Sequence, residues 1–314
     1  MGDIGRAVEI LRAGGLVAFP TETVYGLGAD ATDADAVARL YAVKRRPPDH
    51  PVIAHIGSRR DLGVWSEPTP AAMALAESLW PGPLTMLVAR RAGGIADAVT
   101  GGRPSVGLRV PGHPLALELL RAFDGPIAAP SANRFGRVSP TTAAHVRADL
   151  ADDVDLILDG GPCSIGVEST IVDCTVAPPE IRRAGAITRQ MLRAVLGTDL
   201  RLDLERAGVS GTLESHYAPN ARVVITTRAE LSEIAGRLGA GGERIGVLAL
   251  NIDAPPSTSD LTVEGGVLDY ARLLYERLRE ADRRSLDLVL AVPPAPEGVG
   301  AAIVDRLRRS AGAG

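Results

Sequence analysis

Lys44 is the only lysine in a chain with 33 arginines, and it opens the basic, proline-stiffened run Lys44-Arg45-Arg46-Pro47-Pro48. An ammonium is a compact point charge on a flexible stem, whereas a guanidinium is a planar fork. A single retained lysine amid arginines suits a site that grips phosphate, although a solvated helix end also accounts for it when taken alone. Its neighbours point to a site. Pro20-Thr21-Glu22-Thr23-Val24-Tyr25-Gly26-Leu27-Gly28 brings hydroxyls, a carboxylate and a phenol directly after an apolar run, with glycines that let the backbone come close to a ligand. A plain polar turn is the other reading of that segment. His50 follows the basic run, and His55 closes an apolar stretch, a place where a histidine is more often structural than a ligand. Arg109 interrupts the apolar run Val106 to Val110, where a buried guanidinium needs an anionic partner; the carboxylate of a ligand would satisfy it bidentately.

Further along, Ala128-Ala129-Pro130-Ser131-Ala132-Asn133 and then Ser139-Pro140-Thr141 supply small side chains, hydroxyls and backbone donors ahead of a helix start, which favours anions. Gly166-Val167-Glu168-Ser169-Thr170 adds more hydroxyls, while Trp80-Pro81-Gly82-Pro83-Leu84-Thr85 reads as a rigid turn into a strand. These residue types can gather phosphates and a carboxylate in one place and offset their charge without a side-chain nucleophile.

Positioning them requires alternating elements. Strand-length apolar runs lie at Leu16 to Phe19, Val52 to Ile56, Leu84 to Ala89, Val106 to Val110, Ile127 to Ala129, Leu156 to Leu158 and Thr170 to Val172. Helical patterns lie between them at Ala34 to Val43, Pro70 to Trp80, Pro114 to Phe123, Thr141 to Leu150 and Thr188 to Leu196. This predicts an α/β domain over residues 1–196. Residues 197–220 have weak periodicity and turn chemistry and read as a linker, one that carries His216 and Tyr217. The pattern then restarts as a small βαβαβα unit over 221–314, with strands at Val223 to Thr226, Ile245 to Leu250 and Leu286 to Val292, most simply a parallel Rossmann-like sheet. Neither GxGxxG nor GxxxxGK[ST] occurs, so no standard phosphate loop explains nucleotide binding.

Composition narrows the function classes. A length of 314 residues suggests two domains. Aromatics at 3% leave little for base-stacking platforms, and a net charge of −4 gives no overall attraction to a polyanion, so anion binding has to come from a local cluster. Met1 to Arg12 lacks the apolar core of a leader and no membrane-length apolar stretch appears, which predicts a cytoplasmic protein without a membrane partner. Cys163 and Cys174 show no CxxC spacing and no ligand-type pairing with the five histidines, so reduced structural thiols are expected and no protein-held metal site is predicted.

Taken in order, PTETVYGLG, KRRP, WPGPLT, SVGLRVP, AAPSAN, SPT and GVESTIV resemble the YrdC-like domain of threonylcarbamoyl-AMP synthases over about residues 4–196. With HYAP at 216–219 and a second α/β unit behind it, the chain resembles the long, two-domain form of that family. The resemblance implies a twisted open sheet with a concave basic cavity, followed by the smaller C-terminal α/β domain. It implies condensation of L-threonine, bicarbonate and ATP, with Mg²⁺, into L-threonylcarbamoyl-AMP and pyrophosphate for threonylcarbamoyladenosine in tRNA. Position by position it assigns threonine to Thr23, His55, Arg109, Ala129, Ser169 and Thr170. It assigns ATP to Lys44, Arg46, His50, Ser105, Ser131, Asn133, Ser139, Arg183 and Tyr217, with Lys44 and Arg46 as the catalytic cations. The HYAP segment would act as a lid over the nucleotide. The product would pass to the tRNA threonylcarbamoyl-transferase machinery, with no stable tRNA binding by this chain.

Some positions depart from the family pattern. His50 stands where relatives often carry asparagine, Arg183 is followed by Ala184-Gly185 rather than Pro-Gly, and Gly211 to Ser215 replaces the usual proline-glycine approach to HYAP. Two other classes share parts of this pattern. A carbamoyl-adenylate-forming carbamoyltransferase usually brings zinc-finger cysteines and further domains, for which this chain has neither the cysteines nor the length. A non-catalytic RNA-binding module is disfavoured by the acidic balance and few aromatics.

Overall fold

The structure is a computed structural model that describes residues 2–203 and 217–312. The altered approach Gly211 to Ser215, His216 and most of the expected linker lie outside the described residues. The chain divides into two compact units: Met1–Phe135, Pro140–Ser164 and Glu168–Thr212 form the first, and Gly136–Ser139, Ile165–Val167 and Leu213–Gly314 form the second.

The first unit opens with α1 (Gly2–Arg12), β1 (Val17–Phe19), β2 (Gly26–Asp30), α2 (Ala34–Lys44) and β3 (Ile53–His55). It continues through α3 (Leu62–Trp65), β4 (Ser66–Glu67), α4 (Pro70–Leu79), β5 (Leu84–Arg90), α5 (Asp97–Thr100), β6 (Ser105–Arg109), α6 (Pro114–Phe123) and β7 (Ile127–Ala128). It closes with α7 (Ala143–Leu150), β8 (Leu156–Ile157), β9 (Thr170–Asp173), β10 (Glu180–Arg183), α8 (Arg189–Leu196) and β11 (Arg201–Leu202). The strands form one twisted mixed sheet in the order β11-β10-β9-β5-β6-β3-β7-β2-β1-β8, with β4 beside β5. Parallel pairs (β3 with β6, β5 with β9, β1 with β8) are mixed with antiparallel ones (β1 with β2, β2 with β7, β3 with β7, β5 with β6).

Local chemistry explains the helix that matters most. Asp33 caps α2 by accepting from the N–H groups of Asp35 and Ala36, satisfying donors that the first turn leaves open. The buried residues Val37, Leu40, Tyr41 and Lys44 then recur at the three- and four-residue spacing of one helix face. Lys44 therefore continues an apolar stripe into the interior; it is not a solvated helix end.

Several elements have no counterpart in the sequence pattern, among them α1 and β2. Ile4, Ala7, Val8 and Leu11 make α1 amphipathic, and all four are buried. The glycines of the PTETVYGLG segment belong to β2, so the segment turns between two antiparallel strands, with Val17 opposite Gly28 and Phe19 opposite Gly26. A Cβ at Gly28 would sit 2.9 Å from both Ile127 Cγ2 and Phe19 Cε1. Packing between strands, not approach to a ligand, explains that glycine. Gly28→Ala is expected to cost about 1 to 3 kcal/mol of stability, read as a lower urea midpoint, because the extra methyl overpacks a filled layer. An unchanged midpoint would show that β2 has room to shift.

The second unit contains β12 (Arg222–Ile225), α9 (Leu231–Gly239), β13 (Ile245–Leu248), β14 (Ser259–Asp260), α10 (Val267–Arg283), β15 (Leu288–Ala291) and α11 (Gly300–Ala311). Its sheet runs β12-β15-β13-β14 with every pair parallel, the arrangement expected of alternating strands and crossover helices. β14 is only two residues, follows the polar stretch Pro255-Pro256-Ser257-Thr258, and has no apolar run to announce it. Among the described residues, no helix is long and apolar enough to cross a membrane.

Candidate active site

The end of α2 builds one part of the site. Arg45 takes the left-handed conformation (φ 54, ψ 39), and the N–H groups of Arg45 and Arg46 return to the carbonyls of Ala42 and Tyr41. This reversal leaves Lys44 1% exposed and carries Arg46 onto the following loop. Lys44 Nζ donates to the carbonyl oxygens of Ser131 and Asn133, each at 2.5 Å, and the Phe135 N–H bonds the Lys44 carbonyl at 2.9 Å. The lone lysine and the APSAN loop are thus tied to each other. Burial, and then the charge of Arg46, push the Lys44 ammonium well below its ordinary pKa.

Arg46 is oriented by carbonyls. Its Nε donates to His50 O at 3.2 Å, Nη2 donates to Pro51 O at 2.9 Å, and its Cζ lies 5.4 Å from the Phe135 ring centroid. The His50 ring lies against the same Phe135, 5.6 Å between centroids. Burial and the Arg46 charge lower the His50 pKa, so near neutral pH this ring is the uncharged imidazole. It is a donor or acceptor there, not a cation.

Strand register organises the rest. β3 and β6 run parallel with Ile53 opposite Gly107 and His55 opposite Arg109. Arg46, His50 and Pro51 thus lie toward the strand starts, the end of β6 that carries Ser105, whereas His55 and Arg109 share the strand ends. Four residue steps of strand lead from Ser105 to Arg109, roughly 13 Å. That span makes the Ser105 end and the Arg109 end separate places along one pair of strands.

At the Arg109 end, the required anion comes from the chain itself. Glu22 Oε1 accepts from Arg109 Nη2 at 2.7 Å, Glu22 Oε2 accepts from the Gly112 N–H at 2.9 Å, and Arg109 Nε donates to Gly82 O at 3.3 Å. Thr23 is buried in the same turn, its hydroxyl 2.8 Å from that of Thr21. Ala129 donates its N–H to Ile53 O at 2.9 Å, which closes the β3 side. His55 stands edge-on to Phe19, with ring centroids 6.0 Å apart, and its buried Nδ1 makes no hydrogen bond among the described residues.

Burial, and then the Arg109 charge, lower the His55 pKa to about 3. Unfolded, this histidine takes up a proton near its ordinary 6.5, so between those values the unfolded state holds the extra proton and stability falls as the pH drops. His55→Leu is expected to flatten the decline in unfolding free energy from pH 7 to pH 4 by about 2 kcal/mol or more. Parallel denaturant profiles for the two proteins would contradict that burial.

On the β9 side, the Ser169 hydroxyl lies 2.8 Å from Thr85 Oγ1 and accepts from Arg183 Nη2 at 3.0 Å, while Arg183 Nε donates to Ser169 O at 3.0 Å. Thr170 instead donates its hydroxyl to Ile187 O at 2.7 Å. Asn133 donates its side-chain amide to Arg134 O at 2.8 Å.

The first unit holds thirteen of the expected positions: Thr23, Lys44, Arg46, His50, His55, Ser105, Arg109, Ala129, Ser131, Asn133, Ser169, Thr170 and Arg183. Ser139 and Tyr217 belong to the second. There Tyr217, left-handed at φ 68, stacks on Tyr275 with centroids 5.6 Å apart beneath the Arg306 guanidinium, and its carbonyl accepts from the Ser310 hydroxyl at 3.0 Å. Ser139 O accepts from Arg279 Nε at 3.4 Å. Glu22 and Thr85 were missed as site residues. The signal for Glu22 was present, since a buried arginine demands a carboxylate and the PTET segment carries one.

Residues 9–185 match the Sua5_yciO_yrdC family model, described as "Telomere recombination", and residues 187–312 match the model described as "Threonylcarbamoyl-AMP synthase, C-terminal domain". The chain belongs to the threonylcarbamoyl-AMP synthase family. Curated threonylcarbamoyl-AMP synthases of Pyrococcus abyssi and Bacillus subtilis are each 39% identical to it, over 98% of this chain and 93% of theirs. The crystal structure of P. abyssi Sua5 complexed with L-threonine superposes with a TM-score of 0.94 at 37% identity, covering 99% of this chain and 94% of that one. Matches over nearly the full length of both partners place the two-unit architecture, and not just the first unit, within the synthase family.

Proposed function

We propose that this chain condenses L-threonine, bicarbonate and ATP into L-threonylcarbamoyl-AMP and pyrophosphate. The observation that carries this reading is Lys44: an ammonium sealed beneath the Ser131 to Asn133 backbone, beside a prealigned Arg46. Such a pair offers charge where phosphate charge develops, with no reorganisation left to perform.

In the proposed sequence, the threonine amine attacks the bicarbonate carbon, an amine proton leaves with the bicarbonate hydroxyl as water, and the product is a carbamate. A carbamate oxygen then attacks the α-phosphorus of ATP, the bond between the α-phosphorus and the bridging oxygen breaks, and pyrophosphate leaves. Lys44 and Arg46 stabilise charge on the phosphates, and Arg109 aligns the threonine carboxylate. Thr23, His55, Ala129, Ser169 and Thr170 complete the threonine side. His50, Ser105, Ser131, Asn133 and Arg183 complete the nucleotide side, with Ser139 and Tyr217 assigned there by family resemblance. Mg²⁺ would enter with ATP as MgATP and would offset phosphate charge. A cytoplasmic location and delivery of the adenylate to a tRNA-modifying transferase fit this product.

The test is pyrophosphate release by the purified chain with each substrate omitted in turn. Release that requires threonine, bicarbonate and ATP together supports the reading; release without threonine refutes it.

A further inference from the structure

Glu22 has no part in the reaction as described so far, yet its placement is costly unless a ligand uses it. Its side chain is 11% exposed and that of Arg109 is 5% exposed. A buried ion pair stabilises a fold no better than well-packed apolar side chains of the same volume, so this one calls for another reason. The pair is also only partly consumed. Each Glu22 oxygen accepts one bond, from Arg109 or from Gly112, and retains a second lone pair. Arg109 Nη1 makes no hydrogen bond among the described residues.

The turn that carries Glu22 is rigid. Thr21 Oγ1 accepts from the N–H groups of Thr23 and Val24, both at 3.2 Å, and donates to Val24 O at 2.6 Å. The neighbouring Cys163 thiol is pushed up to about 12 by burial and then by the Glu22 charge, so it stays neutral beside the Glu22–Arg109 pair. An amino acid is a zwitterion whose two charges are a bond or two apart. A fixed carboxylate touching a fixed guanidinium is the complementary arrangement, with four charges alternating in sign.

We infer that Glu22 receives the α-ammonium group of the amino-acid substrate while Arg109 holds its carboxylate, making Glu22 a determinant of specificity for amino acids over the corresponding hydroxy acids. The inference rests on the assignment of threonine to the Arg109 end of the site.

The experiment is calorimetric binding to the full chain of L-threonine and of (2S,3R)-2,3-dihydroxybutanoate, in which a hydroxyl replaces the amine. The unaltered chain is expected to prefer threonine by at least about tenfold, since its ammonium makes a charge-assisted bond that the hydroxyl cannot. Glu22→Gln, which keeps shape and removes charge, is expected to bring the two ligands within about twofold of each other, with dihydroxybutanoate binding retained. Glu22→Asp, which keeps the charge but withdraws it by a methylene, should leave an intermediate preference. A Glu22→Gln protein that keeps the tenfold preference, whether or not both ligands weaken together, would show that Glu22 merely orients Arg109 and would overturn the inference. Threonine binding that survives Arg109→Leu undiminished would instead remove the assignment of this end of the site to threonine, and the inference with it.

Discussion

Replacing Lys44 with alanine is expected to lower adenylate formation at least a hundredfold while the circular dichroism spectrum stays native. One preorganised donor aimed at developing charge is worth roughly 3 to 4 kcal/mol in the transition state. Lys44 qualifies because its stem is packed in the α2 face and its Nζ is held at 2.5 Å from two carbonyls, so the donor is in place before substrate arrives. Arginine should not rescue it. A planar fork cannot occupy the space of a compact ammonium between the Ser131 and Asn133 carbonyls, and Lys44→Arg is expected to lose about tenfold or more in kcat. Steady-state pyrophosphate release checks both variants, and near-normal turnover in Lys44→Ala would remove the lysine from the catalytic role.

Arg109→Leu is expected to do damage of two separable kinds. It strands Glu22, a buried carboxylate, without its partner, which should cost about 3 to 5 kcal/mol of stability in chemical denaturation. It also removes the cation proposed for the threonine carboxylate, which should raise the KM for threonine by about a hundredfold. The combined Glu22→Leu and Arg109→Leu protein separates the two, because replacing both charges with apolar groups should restore most of the lost stability and none of the activity. If Arg109→Leu alone is as stable as the parent, the ion pair is not the buried, mutually dependent unit described above.

How much of this was legible in the sequence follows from the range of each interaction. The helix carrying Lys44 has its cap, its stripe and its last residue within a dozen positions, so the burial of the lysine could be read from Val37, Leu40 and Tyr41 at one face. The parallel sheet of the second unit was equally legible, because its strands are apolar runs separated by clearly periodic helices. β2 was hidden, since Gly26, Gly28 and Asp30 are poor strand formers and only pairing with β1 and β7 makes them one. The bond between Glu22 and Arg109 crosses 87 residues, a distance over which register, not local pattern, decides who meets whom. Arg45 at φ 54 is likewise unreadable, as nothing in an arginine announces the left-handed conformation that carries Arg46 onto its loop. Ser139 and Tyr217, assigned by resemblance, fall in a different unit from the other thirteen positions, which no local pattern in the chain reveals.

The central claim is that bicarbonate supplies the carbon joining threonine to AMP. Incubating the chain with MgATP, threonine and ¹³C-bicarbonate, and weighing the adenylate by mass spectrometry, tests it directly. The account predicts threonylcarbamoyl-AMP heavier than the unlabelled product by the one added neutron. An unlabelled product, or an adenylate whose carbon comes only from added carbamoyl phosphate, would contradict it.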